Sequence, residues 1–326
     1  MNDRIETSPT PRRTVSLKAV LWWTMASAIG LTAIIPSGGL VRLSKSGLGC
    51  PDWPGCHGEI VPSMTGHAAI EYSNRVLSFL IIVTVLVTWI LSRMAADAPK
   101  GLSKWTGAAA LASVAQGPLG GLTVLLDLHP LMVGSHFLLS IVALAPAVVA
   151  VLIVRDRMNG AERPLDRIRA RAAAALWVML CAVISTGVVV TAAGPHSGDA
   201  NVTRRFWNLR MAAMIHVRMV IAFVIVGIVV WVWHHRSGVV DRRFNKLVAT
   251  FVPLLIIQVI LGEYQYRNGM RWGVIFFHVT TAGVLFAVAT AAAWRFAHPP
   301  LAAEPAESGD VQSPNPALHA SSTAEA

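Results

Sequence analysis

Charge is what this chain has least of. Only 13% of its 326 residues are charged, and Asp and Glu together number 17. A water-facing domain carries about 25% charged residues, so an ordinary soluble fold does not suit this composition. Cysteine is also scarce: Cys50 and Cys56 share one loop, and Cys181 lies alone in an apolar run, where it reads as a small core residue. The opening stretch MNDRIETSPTPRRTVS has no apolar core and resembles neither a secretory signal nor a transit peptide.

Apolar sequence fills the space that charge leaves. Hydrophobic residues make up 54% of the chain, with a mean hydropathy of +0.57. Apolar runs of about 20 residues recur, enough to cross the hydrocarbon core. The expected class is an all-α, polytopic membrane protein with the lipid bilayer as its solvent. Eight spans are predicted, at 19–40, 70–92, 104–125, 131–154, 172–192, 211–234, 246–263 and 272–295. The tail from 298 onward, rich in Pro, Ala, Ser and Glu, is expected to be disordered.

The net charge of +10 does not point to nucleic acid. In a membrane protein a basic excess marks the cytoplasmic loops. With both termini inside, the inner segments hold most of the Lys and Arg, including Arg155, Arg157, Arg163, Arg167, Arg169 and Arg171 in one linker. That bias predicts a bacterial plasma-membrane topology with both termini cytoplasmic and the SGLGCPDWPGCHG loop outside.

The chain also repeats itself. His136 and His278 are 142 residues apart, and the same shift places Gln116 on Gln258, Gly120 on Gly262, Lys104 on Lys246 and Asn74 on His216. The first and fifth spans match at another shift, Ser37 with Ser185 and Gly39 with Gly187. Polar residues in register across several spans predict a duplicated four-helix unit, arranged as two pseudo-symmetric four-helix bundles. The expected organisation is a tail at 1–18, an N-terminal half at 19–154, a basic linker at 155–171, a C-terminal half at 172–297 and a tail at 298–326.

Histidine inside a membrane span is rare and either functional or paired. His216 and His278 either hydrogen-bond to neighbouring helices or serve as two axial ligands on a haem iron, since neutral imidazole is a good iron ligand. Both lie about 8–9 Å below the outer surface, and His136 lies at the same level. Asn74 takes the fourth place. Two haem-sized sites at one depth, side by side, are expected. Glu71 precedes Asn74 by three residues and shares its helix face. It reads either as a proton acceptor or donor or as an interfacial carboxylate paired with Arg75. Arg75 and Arg218 lie beside the two sites, as haem propionate partners or as snorkelling residues. Arg204, Arg205 and Arg210 are equally available for propionates. His196 lies in a loop expected to overhang His216. An outward-facing Cys50–Cys56 pair favours a disulfide, which either orders a lid or exchanges electrons with an external thiol. CPDWPGCH is not the C-x-x-C-H of covalent haem attachment.

SGGLVRLSKSGLGCPDWPGCHGEIVPS, IEYSNRVLS, GGLTVLLDLHPLMVGSHFLLS and STGVVVTAAGPHSGD, with the last-span histidine, together resemble the haem A synthase family over roughly residues 20–295. The resemblance implies eight helices in two pseudo-symmetric halves. It implies a resident haem b between His216 and His278, and a substrate, haem O, near His136. It implies oxidation of one ring methyl to a formyl group, giving haem A for terminal oxidases, with Glu71 catalytic. A haem O-forming farnesyltransferase is the partner it implies. Many members carry histidine where this chain has Asn74; asparagine is a poor iron ligand, so the resemblance implies a substrate iron bound through His136 alone, with the other position open or filled by a water held by Asn74. Two other readings compete: a di-haem membrane cytochrome b, which predicts haems near opposite faces, and a haem carrier without chemistry, which leaves Glu71 without a task.

Overall fold

A computed structural model describes residues 15–161, 163–202 and 207–301. Arg204, Arg205, His319, most of the N-terminal tail and most of the C-terminal tail lie outside the described residues. Eight helices follow one another: α1 (Leu17–Leu43), α2 (Gly66–Met94), α3 (Leu102–Leu125), α4 (Pro130–Met158), α5 (Arg167–Ala193), α6 (Leu209–Arg236), α7 (Arg242–Arg267) and α8 (Trp272–Ala297). Each is long and apolar enough to cross a membrane. The fold is all-α, as the apolar runs predict, because only a closed hydrogen-bond ladder satisfies the backbone where there is no water.

Most helices outrun their apolar spans. α5 begins at Arg167, not near residue 172, because Asp166 accepts hydrogen bonds from the amides of Ile168 and Arg169. Asn208 and Asp241 likewise cap α6 and α7. Hydropathy detects only the apolar middle, whereas capping side chains extend the helix into the polar rim.

In the N-terminal half α1 packs on α2 and α4, and α3 joins α2 to α4, which closes a four-helix ring. In the C-terminal half α5 packs on α6 and α8, and α7 packs on α8. α6 and α7 approach through Phe223 and Phe251, whose ring centroids are 6.2 Å apart. The halves meet where α8 packs on α1 and α4, and α4 on α5. Small residues allow this close approach: a Cβ at Gly283 would stand 2.9 Å from Ile35, and one at Gly134 would stand 2.9 Å from Val188. Phe286 and Leu144 are fully buried in the resulting core.

The arginines of and around the basic linker are tied to neighbouring helices. Asp156, on α4, accepts from buried Arg295 on α8 and, at 3.1 Å, from Arg243 on α7. Arg163 reaches Asp241 at 2.6 Å. Arg169 bonds to His234 at 2.8 Å and Ser237 at 2.6 Å on α6. These ties cross-link five elements at one end of the molecule. Removing one partner of a buried ion pair costs about 3–5 kcal/mol, because the other charge stays buried. Asp156→Asn should therefore lower the thermal unfolding midpoint in detergent. Arg295→Met in the same chain should restore most of the loss.

Candidate functional site

The opposite end of the N-terminal half is organised around Glu71, in the second turn of α2 and 4% exposed. Its Oε2 accepts from the backbone N–H of Cys50 at 2.7 Å, and its Oε1 from Arg75 Nη2 at 2.6 Å. Arg75, one turn on, spreads its guanidinium under the 50–56 loop. Nη1 donates to the carbonyls of Gly55 at 2.6 Å and Asp52 at 2.9 Å, and Nη2 donates to that of Cys50 at 3.0 Å. The planar fork of Arg suits such a set of converging oxygens.

Cys50 and Cys56 are disulfide-bonded, and both residues are fully buried. Gly49 lets the loop cross the start of α2 so closely that a Cβ there would stand 2.5 Å from the carbonyl of His67. Trp53 lies over α3, where a Cβ at Gly121 would meet its ring at 2.7 Å. Within the loop Asp52 accepts from the amides of His57 at 2.6 Å and Gly58 at 2.8 Å.

The residue before Gly121 carries the next layer. A Cβ at Gly120 would stand 3.1 Å from Cε1 of His136, so the ring packs against bare backbone. One turn earlier, Gln116 Nε2 donates to the His136 carbonyl at 3.1 Å and to Ser140 at 2.8 Å. The C-terminal half repeats this. Gly262 faces Cε1 of His278 at 3.3 Å, and Gln258 Nε2 donates to the His278 carbonyl at 2.8 Å. The shared register of Gln, Gly and His is thus a mounting. The amide grips the partner helix, and the glycine clears room for the imidazole. The Nδ1 atoms of His136 and His278 are both buried and without a protein partner.

His216 is mounted on α5, with Cε1 at 3.2 Å from a Cβ built on Gly187. Its Nδ1 lies 3.0 Å from the Val183 carbonyl and 3.1 Å from Thr186 Oγ1. A carbonyl can only accept, so Nδ1 carries the proton and Nε2 keeps its lone pair. That tautomer is the one a metal ligand needs, held by the kind of outer hydrogen bond that orients such ligands. Asn74 occupies the matching place on α2, where Oδ1 accepts from Ser37 at 2.8 Å. α1 therefore holds Asn74 much as α5 holds His216.

Glu71, Arg75, Cys50 and Cys56 therefore converge in one cluster, with Asn74 one turn deeper. α2 stands across its bundle from α4, and α6 across from α8. Arg218 is exposed on α6. Arg210 lines a cleft of about 660 Å3 with Trp207, Asn208, Tyr266 and Met270 at the end of the C-terminal half where α6 begins. His196 bonds to the Met270 carbonyl at 2.8 Å and fastens the 194–202 segment over that end. Among the described residues no three His, Cys, Asp or Glu converge as a protein-only metal cage. Sequence reasoning named the glutamines and glycines only as repeat matches and gave them no role. It passed over the Trp53 contact, which has no local signal.

A membrane-spanning helical protein with duplicated histidine mounts is the class these features define. The profile of the COX15-CtaA family, cytochrome oxidase assembly protein, matches residues 21–70 and 63–290, and the chain belongs to this family. Proteins named heme A synthase are similar to it. That of Shewanella oneidensis is 33% identical over 135 residues, 36% of this chain and 40% of the relative. That of Lysinibacillus sphaericus is 22% identical over 286 residues, 81% of this chain and 91% of the relative. That of Alkalihalophilus pseudofirmus is 29% identical over 136 residues. The matches span less than half of the Shewanella and Alkalihalophilus proteins, and nearly all of the Lysinibacillus one.

The Gly58 and His57 amides hold the Asp52 carboxyl below the usual carboxylate range. A carboxyl depressed on folding contributes stability above its unfolded pKa, and that stability is lost as pH falls through the folded value. Amide-exchange protection at His57 and Gly58 should therefore persist through the ordinary carboxylate range and fail below it. In Asp52→Ala it should be weak at every pH.

Proposed function

We propose that this chain is a haem A synthase that oxidises a ring methyl of haem O to a formyl group, supplying haem A to terminal oxidases. The observation that carries the reading is the matched mounting of His136, His216 and His278 on Gly120, Gly187 and Gly262. The fourth place is given to Asn74, and a buried carboxylate lies one turn away. The names of the relatives and the family support it.

The residues of the C-terminal half fit a haem b held through His216 and His278. His216 presents an unprotonated Nε2 fixed by Val183, and Gly187 and Gly262 keep bulk away from both rings. Such a group, when bound, supplies one-electron transfer. In the N-terminal half His136 is the single imidazole for the substrate iron. Asn74 opposite it binds water better than iron, which leaves a position that can exchange.

Glu71 keeps two lone pairs after accepting from Cys50 and Arg75, because a carboxylate offers about four. It is thus fixed in place yet able to take a proton from the reacting methyl or to stabilise the positive charge that develops there. Arg75 holds both Glu71 and the loop, so carboxylate and lid are positioned together. In the first round the methyl and one water become a hydroxymethyl group, two electrons leave to an external membrane acceptor, and two protons are released. A second such round gives a geminal diol, which loses water to the aldehyde.

Membranes containing this chain and a source of haem O should yield haem A or its hydroxylated precursor on extraction. Glu71→Gln should lower product formation by about 10²–10⁴-fold, the usual span for a lost acid–base group. His136→Ala should abolish it. Haem b bound to the purified protein should be lost in His216→Ala and His278→Ala and kept in Glu71→Gln. Extraction of only haem B and unmodified haem O from the wild type would overturn the reading in favour of a cytochrome or carrier.

A further inference from the structure

The N-terminal half contains a polar interior that the proposed chemistry does not use. Toward the end away from Glu71, a small cavity of about 10 Å3 lies where its four helices meet. Thr24 and Ser27 line it from α1, Val85 and Thr88 from α2, Thr106 from α3 and Ala147 from α4. All of these residues are at most 3% exposed. A cavity needs about 10–15 Å3 to hold one water.

The hydrogen bonds around the cavity define what it can take. Thr24 donates to the Leu21 carbonyl at 2.8 Å. Thr88 donates to the carbonyl of Thr84 at 2.8 Å or of Trp23 at 3.0 Å. Ser27, 2.8 Å from Thr88 Oγ1, can then donate to it. Thr106 donates to the Leu102 carbonyl at 3.1 Å or to Ser92 at 2.8 Å, while Ser92 donates to the Trp89 carbonyl at 2.7 Å. Every hydroxyl proton thus has an acceptor within the protein, and what remains facing the cavity is lone pairs. The occupant must be a small donor. A cation would have to shed its water at large cost with no carboxylate among the lining residues to offset it.

The duplication supplies a second, independent observation. At the repeat shifts, Thr24, Ser27, Thr88 and Thr106 fall on Ala172, Ala175, Val230 and Val248. Ala109, which also lines the cavity, falls on Phe251, whose ring packs on Phe223. All four hydroxyls are absent from the other half, and an aromatic pair stands at the matching level. A chance scatter of Ser and Thr would not be confined to one copy at four facing positions.

We propose that this cavity binds one water molecule, which donates its two O–H groups to hydroxyl oxygens among those of Thr24, Ser27, Thr88 and Thr106 and so bridges two of the helices that line it. In a medium without bulk water, such a bridge joins helices whose hydroxyls are otherwise left with unused acceptors. It gives the N-terminal half a polar fastening that the C-terminal half replaces with Phe223 and Phe251. This inference does not depend on the proposed activity.

Radiolytic hydroxyl-radical labelling in detergent tests it, because a bound water generates the radical in place and marks the side chains around it. Val85 should be oxidised well above Val154, which is equally buried but lies outside the cavity. The excess should vanish in the isosteric double variant Thr24→Val/Thr106→Val. It should be unchanged when sodium and potassium are replaced by N-methylglucamine. Equal, background labelling of Val85 and Val154 in the wild type would overturn the proposal, and that arm stands even if the double variant does not fold. Labelling that survives the double substitution, or that follows the alkali cation, would also overturn it.

Discussion

Most polar groups inside this molecule find their partners within the protein, because the surrounding hydrocarbon offers none. That constraint organises everything else. It forces eight continuous helices, and it places Asp166, Asn208 and Asp241 at helix starts. It also sends each buried charge to a named counterpart: Glu71 to Arg75, and Asp156 to Arg295 and Arg243. The two ends of the molecule are built from these ties in different ways. At one end arginines cross-link helices from both halves. At the other, one Glu–Arg pair fastens a disulfide-closed loop over a single half.

Duplication supplied two copies of one mount, and their surroundings have diverged. The Gln–Gly–His arrangement is kept on α3–α4 and on α7–α8, down to the same amide-to-carbonyl bond. Around it the copies differ. The C-terminal half has His216 with a fixed tautomer, an apolar interior and a loop pinned by His196. The N-terminal half has Asn74, the Glu71 carboxylate, the Trp53 lid and a hydroxyl-lined interior. A permanent group is best served by two strong ligands and apolar packing. A changing one is best served by a weaker opposite ligand, a fixed carboxylate and a cover.

Much of this was legible before any coordinates. The number of helices follows from apolar runs, since nothing shorter than a span can satisfy the bilayer. The repeat follows from polar residues in register, because His136, Gln116 and Gly120 recur together. The roles within the repeat were not legible. Gln116 and Gly120 act on a neighbouring helix, and sequence spacing reports only on faces of the same helix. Arg75 illustrates the limit. Its proximity to Glu71 at i and i+4 was readable, but its grip on the carbonyls of Cys50, Asp52 and Gly55 depends on where a loop some twenty residues earlier comes to rest.

By itself, then, the sequence determined the helical class, the eight spans, the duplication and the small set of residues with chemistry to offer. These are local or periodic properties, set by hydropathy and by residue type. Only the tertiary structure decided which polar groups meet. It paired Glu71 with the loop amide of Cys50, laid each histidine on a glycine and gave His216 its protonated Nδ1. It also gathered four hydroxyls from three helices around one small cavity. Those outcomes rest on how helices distant in the chain approach and rotate against one another, which no local pattern encodes.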